Sequence, residues 1–459
     1  CKHSFASMMR TLCVISLSVT ASAFVSISNA RTSHRRGHHS CRQGHPSSIL
    51  PLKSHYLDDV PMGPPDAILG IAENFRACTA PGKVNVAIGA YRDETGVPWV
   101  LPSVQAAEAK LLAASGTTSN KEYLPITGDA EYVSSAVRFA MGECEALSEG
   151  RVAAVQTLSG TGACRVAAEF FTKFLGQGHP IYVSDPTWGN HIPIMGNAGL
   201  EVRRYRYFDK ATNGLDFTGM MEDVQSAPEG SIFLLHACAH NPTGVDPTQN
   251  QWAEISQAMK DRKHHVFFDS AYQGFASGDA EKDAYAIRSF LEDGHLITLA
   301  QSFAKNFGLY GERVGALSMV CQDAETAGRV LSQLKLVIRP MYSSPPIHGA
   351  AIVREILKDE GLSSDWRGEC SEMAARIGRM RTELRRELAA AGSELDWSHI
   401  TDQIGMFAFT GLSPEACARM TDKHNIYLTK DGRISLAGIN DGNCAYVAAA
   451  MHDCTTMES

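Results

Sequence analysis

The chain has 459 residues, of which 44% are hydrophobic and 20% are charged, and its formal net charge is −8 at pH 7. This length allows a large core and about two domains, and the composition is typical of a globular protein. The acidic balance provides no basic surface for nucleic acid and argues against that class of partner. The twelve cysteines include no CxxC pair and the seventeen histidines form no ligand pattern. Neither a disulfide framework nor a metal centre is therefore expected.

The first 55 residues differ from the rest and predict a targeting leader. An apolar run over residues 12–27 is too short for a membrane span and fits the hydrophobic region of a signal peptide. Residues 31–48 are rich in Arg, His and Ser and contain no acid, which is typical of a transit peptide. With the junction ASAF at residues 21–24, the leader resembles bipartite signals for plastids of secondary endosymbiotic origin. A mitochondrial presequence is the alternative, and no membrane segment is expected once the leader is removed.

The next part of the chain predicts an arm and short elements. Residues 56–65 are polar and proline-rich and predict an N-terminal arm. A helix is expected over residues 66–74 and a strand over residues 84–88, where Gly89 turns the chain. An alanine-rich helix over residues 104–114 follows.

From residue 153 the pattern alternates between strands and helices. Short apolar runs predict buried strands over residues 153–158, 181–184, 232–235, 266–268 and 296–300. Their continuous apolar character, with helices between them, indicates a mostly parallel sheet in an α/β fold. Polar motifs follow these strands, and the carboxyl ends of parallel strands form the ligand-binding edge of such a sheet.

The later chain is mainly helical. An apolar stripe with spacings of three and four predicts a helix over residues 366–391. Strands expected over residues 406–409 and 433–436 would complete a second, smaller α/β unit.

One motif at the predicted edge is suited to an anion. Ser159, Gly160 and Thr161 form a turn before a helix predicted over residues 163–175. Free backbone N–H groups and the helix dipole favour a phosphate at a helix start. The motif alone is weak, because Ser-Gly turns are also common helix caps.

A second motif places a lysine beside a phosphate seat. Lys305 follows a predicted strand, and Ser302 and Arg313 bracket it with a hydroxyl and a bidentate cation. An amine next to a phosphate seat suits pyridoxal phosphate, which needs a covalent partner and an anchor. Taken alone, Lys305 would more often be a surface lysine.

These motifs resemble those of a known family. They read LSGTGA (158–163), DPTWGNH (185–191), HNPTGVDPT (240–248), FFDSAYQGFASGD (267–279), SFAKNFGLYGERVG (302–315), RPMYSSPP (339–346) and DGRIS (431–435). In this order they resemble class I aspartate aminotransferases, a fold-type I family that depends on pyridoxal phosphate. The resemblance runs from about residue 56 to the C-terminus. It implies a large cofactor domain over residues 99–365 and a smaller α/β domain from residues 66–98 and 366–459.

The resemblance also implies roles around the cofactor. Lys305 would bond the cofactor and, once released, move the proton of the substrate Cα. Asp269 would stabilise the protonated ring nitrogen, with His191 hydrogen-bonded to it. Asn241 and Tyr272 would hydrogen-bond the phenolic oxygen. From the residues alone, Asp269 could instead cap the following turn.

Further roles implied by the resemblance concern the substrate and a second subunit. Trp188 would stack on the cofactor ring, and the backbone of Gly89 would lie against the substrate. Arg433 would bind the α-carboxylate, and Arg339 of a neighbouring subunit the distal carboxylate. Tyr123, which alone would most often be half-buried packing, would reach the cofactor phosphate of the neighbour. A homodimer acting on aspartate or glutamate, with oxaloacetate or 2-oxoglutarate, is thus expected.

Three alternatives stay open. The first is an aromatic or broad-range aminotransferase of the same family. The second is a lyase or decarboxylase, because one fold and cofactor serve several reactions. The third is a non-catalytic binding protein that has kept the fold. One departure concerns the run after Arg339, where the family usually has an asparagine and this chain has Ser343 and Ser344.

Overall fold

The computed structural model describes residues 57–64, 69–114 and 121–456. The predicted leader, Tyr56 and residues 65–68 lie outside these ranges. The chain divides into two units, residues 1–63 and 64–459. In the first unit, the described part of the predicted arm is a turn at residues 57–59 followed by chain without regular structure.

The second unit contains the strands of the described chain. Most of the longer ones are buried along almost their whole length, as their apolar sequences predict. The strands are β1 (Val84–Asn85), β2 (Val152–Leu158), β3 (Pro180–Asp185), β4 (Glu201–Arg206), β5 (Phe208–Asp209), β6 (Gly214–Leu215), β7 (Ile232–His236), β8 (His265–Ser270), β9 (Thr298–Ser302), β10 (Val314–Val320), β11 (Phe407–Phe409), β12 (Ile426–Tyr427) and β13 (Arg433–Ser435).

Helices connect these strands, and a short 3-10 helix spans Leu436–Gly438. The α helices are α1 (Leu69–Ala77), α2 (Pro102–Ala113), α3 (Ala130–Met141), α4 (Glu145–Ser148), α5 (Ser159–Leu175), α6 (His191–Asn197), α7 (Phe217–Ser226), α8 (Gln249–Asp261), α9 (Ala280–Asp283), α10 (Tyr285–Glu292), α11 (Ala324–Ile338), α12 (His348–Lys358), α13 (Glu360–Ala390), α14 (Ser398–Asp402), α15 (Pro414–His424) and α16 (Cys444–Thr456).

Seven strands form the main sheet, in the order β2-β10-β9-β8-β7-β3-β4. All neighbouring pairs are parallel except those of β10, which runs antiparallel to β2 and to β9. The predicted mostly parallel sheet is therefore confirmed. Because β10 is reversed, its first residue lies at the same edge as the last residues of its neighbours.

Helix α2 begins two residues earlier than the sequence predicts, and helices α5 and α13 begin four and six residues earlier. Helix α5 begins at Ser159, so the SGTG motif is its first turn and not a turn before it. The helix can start directly after β2 because Ser159, at φ 62°, redirects the chain there. Helix α13 begins at Glu360 rather than residue 366, because the Asp359 side chain accepts a hydrogen bond from the N–H of Leu362 and caps it.

A separate set of strands joins distant parts of the chain. Strand β1 pairs in parallel with β12, and β11 pairs antiparallel with β13. The N–H of Ser435 also donates to the carbonyl of Val86 at 2.7 Å. These pairs connect segments that the sequence assigns to one smaller domain, and its boundaries remain a prediction. Among the described helices, none combines the length and the apolar character that crossing a membrane requires.

Candidate active site

A cavity of about 190 Å³ lies at the ligand-binding edge of the main sheet. Ten of the residues that line it are ones that the sequence analysis predicts for the site. These are Ser159, Gly160, Thr161, Trp188, Asn241, Asp269, Tyr272, Ser302, Lys305 and Arg313. The cavity is assembled at the ends of β2, β8 and β9, at the start of β10 and in the loops that follow β3 and β7.

The phosphate seat predicted from the sequence is held together by backbone contacts. The N–H of Ser159 donates to the carbonyl of Arg313 at 3.0 Å, and the hydroxyls of Ser159 and Ser302 lie 3.2 Å apart. Gly315 allows this approach, because a Cβ atom there would lie 2.4 Å from the carbonyl carbon of Ser159 and 2.7 Å from the carbonyl oxygen of Gln301. The two hydroxyl groups and the start of α5 thus meet at the cavity wall. Arg313 also borders the cavity, and its exposed guanidinium donates to the carbonyl of Tyr310 at 2.9 Å.

The amine of Lys305 lies over the ring of Tyr272, 5.1 Å from its centroid. Burial lowers the pKa of Lys305, and the charge of Arg313 adds to this effect while Asp269 opposes it. A lowered pKa makes the neutral amine more accessible, and the neutral form is the nucleophile and the base.

A chain of hydrogen bonds links two residues of the cavity wall, Asn241 and Asp269. The N–H of Asn241 donates to Nδ1 of His236 at 3.0 Å. His236 is neutral near pH 7, because burial lowers its pKa to about 3, so its Nε2 carries the proton and faces the Thr187 hydroxyl at 3.5 Å. Thr187 then donates to Nδ1 of His191 at 2.8 Å, and the Nε2–H of His191 donates to Asp269 at 3.1 Å. The tautomer of each imidazole follows from this order of donors and acceptors.

Asp269 remains ionised despite its burial. Burial alone would raise its pKa, but the hydrogen bond from His191 and nearby positive charge, including Lys305, lower it below the ordinary value. The Cys164 sulfur lies within 4.8 Å of ligand atoms of both Asp269 and His191. That thiol stays neutral, because burial and the Asp269 charge raise its pKa. The site therefore presents one buried carboxylate to a positively charged group of a ligand.

Arg433 is a buried cation near the cavity, with 5% of its surface exposed. It donates to the carbonyl of Ala87 at 2.9 Å and to Oδ1 of Asn241 at 3.5 Å, and it lies 4.2 Å from the ring centroid of Phe407. Its Nε has no hydrogen-bond partner among the described residues. Gly89 packs on the same ring, since a Cβ atom there would lie 2.6 Å from Phe407 Cζ. A buried guanidinium with spare donors is suited to a carboxylate of a ligand.

Two aromatic residues complete the walls. Trp188 is half-buried and meets the His191 ring edge to face, with centroids 5.1 Å apart. Burial raises the pKa of Tyr272, so its phenol keeps the proton that it needs to donate a hydrogen bond.

Tyr123 and Arg339 lie outside the cavity of their own chain. Tyr123 is 86% exposed. Arg339 is also exposed, and its guanidinium donates to the hydroxyl of Ser343. The predicted contribution of these two residues to a neighbouring site remains a prediction.

Sequence reasoning missed several residues of the site. His236 and Tyr310 line the cavity, Thr187 links two histidines, and Phe407 supports Arg433. His236 ends β7, so its position at a strand end was a usable signal. Thr187 and Tyr310 lie inside motifs that were recognised for other residues. Nothing in the sequence around Phe407 indicates its neighbour.

These features suit pyridoxal phosphate. The phosphate seat and the Asp269 carboxylate both border the cavity, and the Lys305 amine lines it as well. The cofactor requires an anion seat, a partner for its ring nitrogen and an amine, and the residues present supply all three.

The chain belongs to the aminotransferases of class I and II, whose family model matches residues 81–451. Among curated relatives, mitochondrial aspartate aminotransferase of Dictyostelium discoideum is 54% identical over 87% of this chain and 93% of its own length. The mitochondrial aspartate aminotransferase of Xenopus tropicalis is 52% identical over 88% of this chain and 94% of its own.

Solved structures show the same fold. Aspartate aminotransferase from Saccharomyces cerevisiae cytoplasm is 44% identical and covers 88% of this chain and 99% of its own, with a TM-score of 0.85. Aromatic-amino-acid aminotransferase from Burkholderia pseudomallei, covalently bound to pyridoxal phosphate, is 41% identical over 87% of this chain and 100% of its own, with a TM-score of 0.84. The fold is thus the α/β fold of the fold-type I transferases, as the sequence predicts.

Proposed function

We propose that the chain is an aspartate aminotransferase that uses pyridoxal phosphate. It transfers the amino group of L-aspartate to 2-oxoglutarate in two half-reactions and produces oxaloacetate and L-glutamate. The observation that carries this proposal is a cavity lined by Lys305 and Asp269, with the buried Arg433 guanidinium beside it, 3.5 Å from Oδ1 of the lining residue Asn241. Relatives that are 52–54% identical and are named aspartate aminotransferases support the substrate.

In this proposal each residue has a chemical task. When bound, the cofactor withdraws electrons from the substrate Cα. Lys305 would hold the cofactor covalently and, once released, would carry the proton from the substrate Cα to the cofactor carbon, first as base and then as acid. Asp269 holds positive charge on the ring nitrogen, and Asn241 and Tyr272 donate hydrogen bonds to the phenolic oxygen. Ser159, Gly160, Thr161, Ser302 and Arg313 hold the phosphate, and Trp188 covers the ring.

Arg433 binds the α-carboxylate that all amino-acid substrates share. Its guanidinium is buried and its Nε is unpaired among the described residues, so a carboxylate would satisfy it without first breaking an ion pair. Removing one partner of a buried, hydrogen-bonded charge pair costs about 2–5 kcal/mol. Arg433→Ala should therefore reduce kcat/KM for every amino acid by about thirtyfold or more.

The spectrum of the protein tests the function directly. The protein without residues 1–55 should show an absorption band of the cofactor bound to Lys305, which aspartate converts to the aminated form. Lys305→Ala should abolish the band, whereas Lys335→Ala, which changes an exposed lysine on α11, should leave it intact. If the cofactor is bound but its absorption band does not change when aspartate is added, aspartate is not the substrate and the proposal is overturned.

We also propose a homodimer whose two sites each use residues of both subunits. Tyr123 and Arg339 are exposed, and neither lines the cavity of its own chain. Mixing Lys305→Ala subunits with Arg339→Ala subunits tests this arrangement. A hybrid dimer would contain one site with both residues intact, so activity on aspartate should return on mixing. Activity that stays at the level of the two separate variants would refute the shared site.

A broad-range or aromatic aminotransferase is the second candidate. The similarity to the Burkholderia aromatic enzyme favours it. The ratio of kcat/KM for phenylalanine to that for aspartate decides between the two candidates. Arg339→Ala should raise this ratio if Arg339 binds the distal carboxylate of aspartate.

For the location, we propose the mitochondrion. The relatives reported above are named mitochondrial, and the plastid predicted from the leader finds no support among them. A fluorescent protein fused behind residues 1–55 would report the organelle, and accumulation in plastids would overturn the proposal.

A further inference from the structure

Arg381 is a buried cation on α13 that the proposed reaction does not use. It is 3% exposed, and its guanidinium donates to the carbonyl oxygens of Ile400 at 2.8 Å, Gly405 at 2.8 Å and Phe407 at 2.6 Å. It forms no ion pair with any of the residues that the structure describes. A buried charge without a counter-ion is costly unless its hydrogen bonds are well satisfied. Among the described residues, the hydrogen bonds that compensate this charge come from backbone carbonyls of one short segment.

That segment, residues 400–407, is held from its other side as well. The N–H of Ile404 donates to the carbonyl of Gly244 at 2.8 Å. A Cβ atom on Gly405 would lie 2.5 Å from the Cβ of Ala239. The segment is thus packed between α13 and the turn at residues 239–244, which carries the cofactor-site residue Asn241.

The last residue of the segment touches the substrate site. The carbonyl of Phe407 accepts from Arg381, and its ring lies beneath the Arg433 guanidinium at 4.2 Å. Strand pairing reinforces this link, because Phe407 is opposite Ser435 and Phe409 is opposite Arg433. Phe407 therefore links the two arginines. Its backbone carbonyl is bonded to Arg381, and its ring packs against Arg433.

We propose that Arg381 is a positioning residue for the α-carboxylate site, acting on Arg433 through the backbone and ring of Phe407. This inference rests on the proposed role of Arg433. Arg381 does not touch the substrate, and it sets where the Phe407 ring lies and thereby how Arg433 is aimed. The effect should fall on binding of any α-carboxylate and not on the cofactor chemistry.

Three variants test the proposal in the holoenzyme. Arg381→Met removes the donors, and Arg381→Lys keeps the charge with a different donor geometry. Arg385→Met is the matched control, because Arg385 lies one turn further along α13, is exposed, and bonds the Thr401 hydroxyl of the same region at 3.1 Å. For each protein, KM and kcat are measured with aspartate and with phenylalanine. The rate at which hydroxylamine reacts with the Lys305-bound cofactor is measured as well. Because hydroxylamine has no carboxylate, this rate reports the cofactor chemistry without the α-carboxylate site.

In both Arg381 variants we expect KM to rise about tenfold for both amino acids, with kcat and the hydroxylamine rate changed less than threefold. Arg385→Met should behave as the wild type. A lower melting temperature with unchanged KM in Arg381→Lys would show a purely structural role and overturn the proposal. If Arg381→Met fails to fold, Arg381→Lys decides alone.

A double variant tests the route. If Arg381 acts through Phe407, the double variant Arg381→Lys, Phe407→Leu should raise KM by less than the product of the two factors measured for the single variants. Independent, multiplicative effects would overturn the route. Failure of the proposed function is seen separately, since it would appear in the wild type as absence of turnover with either amino acid.

Discussion

Gly315 provides a sharp test of how the phosphate seat is built. It pairs with Ser302 on β9 and with Thr157 on β2, so it is enclosed on both sides within the sheet. The change to test is Gly315→Ala. Its matched control is Gly311→Ala in the same motif, where a Cβ atom would meet no heavy atom within 4 Å.

The expected cost follows from the atoms that the new methyl group would meet. A Cβ atom at Gly315 would lie 2.4 Å and 2.7 Å from the carbonyl carbon and Cα of Ser159, and 2.7 Å from the Gln301 carbonyl oxygen. These are backbone atoms, which cannot rotate away as the end of a side chain can. Overpacking usually costs about 1–3 kcal/mol, and we expect the upper end here. Because Ser159 must move, cofactor affinity should also fall by about 10- to 100-fold, or about 1.4–2.7 kcal/mol.

Two measurements check this reasoning. Thermal unfolding of the protein without cofactor reports the packing cost, and absorbance titration with pyridoxal phosphate reports the affinity. Gly311→Ala should match the wild type in both. A Gly315→Ala protein with the stability and affinity of the Gly311→Ala control would refute the view that close backbone approach builds the seat.

Three further predictions follow from charges and hydrogen bonds. Asp269→Asn should weaken cofactor binding by about 10- to 100-fold, because a hydrogen bond to a charged group contributes about 1.5–3 kcal/mol. Since the pKa of Asp269 lies below its ordinary value, the wild type should retain cofactor at neutral pH and release it in acid, as seen by absorbance after gel filtration. Thr187→Val should also weaken cofactor binding, because it leaves both His191 and His236 without the hydroxyl between them. Thr187→Ser keeps this hydroxyl and should keep the cofactor affinity of the wild type. Equal affinities of the two variants would contradict the role of the hydroxyl. Burial raises the pKa of Asp283 from 3.8 to about 6, so its contribution to the free energy of unfolding should fall as pH rises from about 4 to about 6, by about 1.4 kcal/mol per unit of pKa shift. Asp283→Asn should flatten this slope in denaturant titrations, and an unchanged slope would contradict the assignment.

The sequence predicted the sheet and most of the cavity because both depend on local signals. Strands β7 and β9 are buried along their length and overlap the apolar runs over residues 232–235 and 296–300. The motifs lie at or just after their ends. Such signals need no knowledge of distant residues. Neither β4 nor β10 was predicted from the sequence, and the apolar run of β10 does not show in which direction it pairs.

What the sequence could not predict depends on long-range contacts. The two glycines of SGTG favour a turn by local propensity, but Gly160 packs against Ser302, and the helix begins at Ser159. Thr187 and His236 are 49 residues apart and meet only after β3 and β7 pair. Tertiary packing determines where this helix begins and which distant side chains meet, and the periodicity of the sequence carries no information on either.

The reversed strand β10 also bears on how the protein matures. Ser159 and Ser302 are 143 residues apart. The Arg313 carbonyl reaches Ser159, and Gly315 reaches Ser302, only when β10 has inserted between β2 and β9. Pairings of such long range form late and slowly during folding. A chain that still lacks β10 has no complete seat for the phosphate, so the cofactor would select finished subunits and stabilise them by mass action. Cofactor supply would then control how much of the newly made protein persists without altering the early steps of its folding.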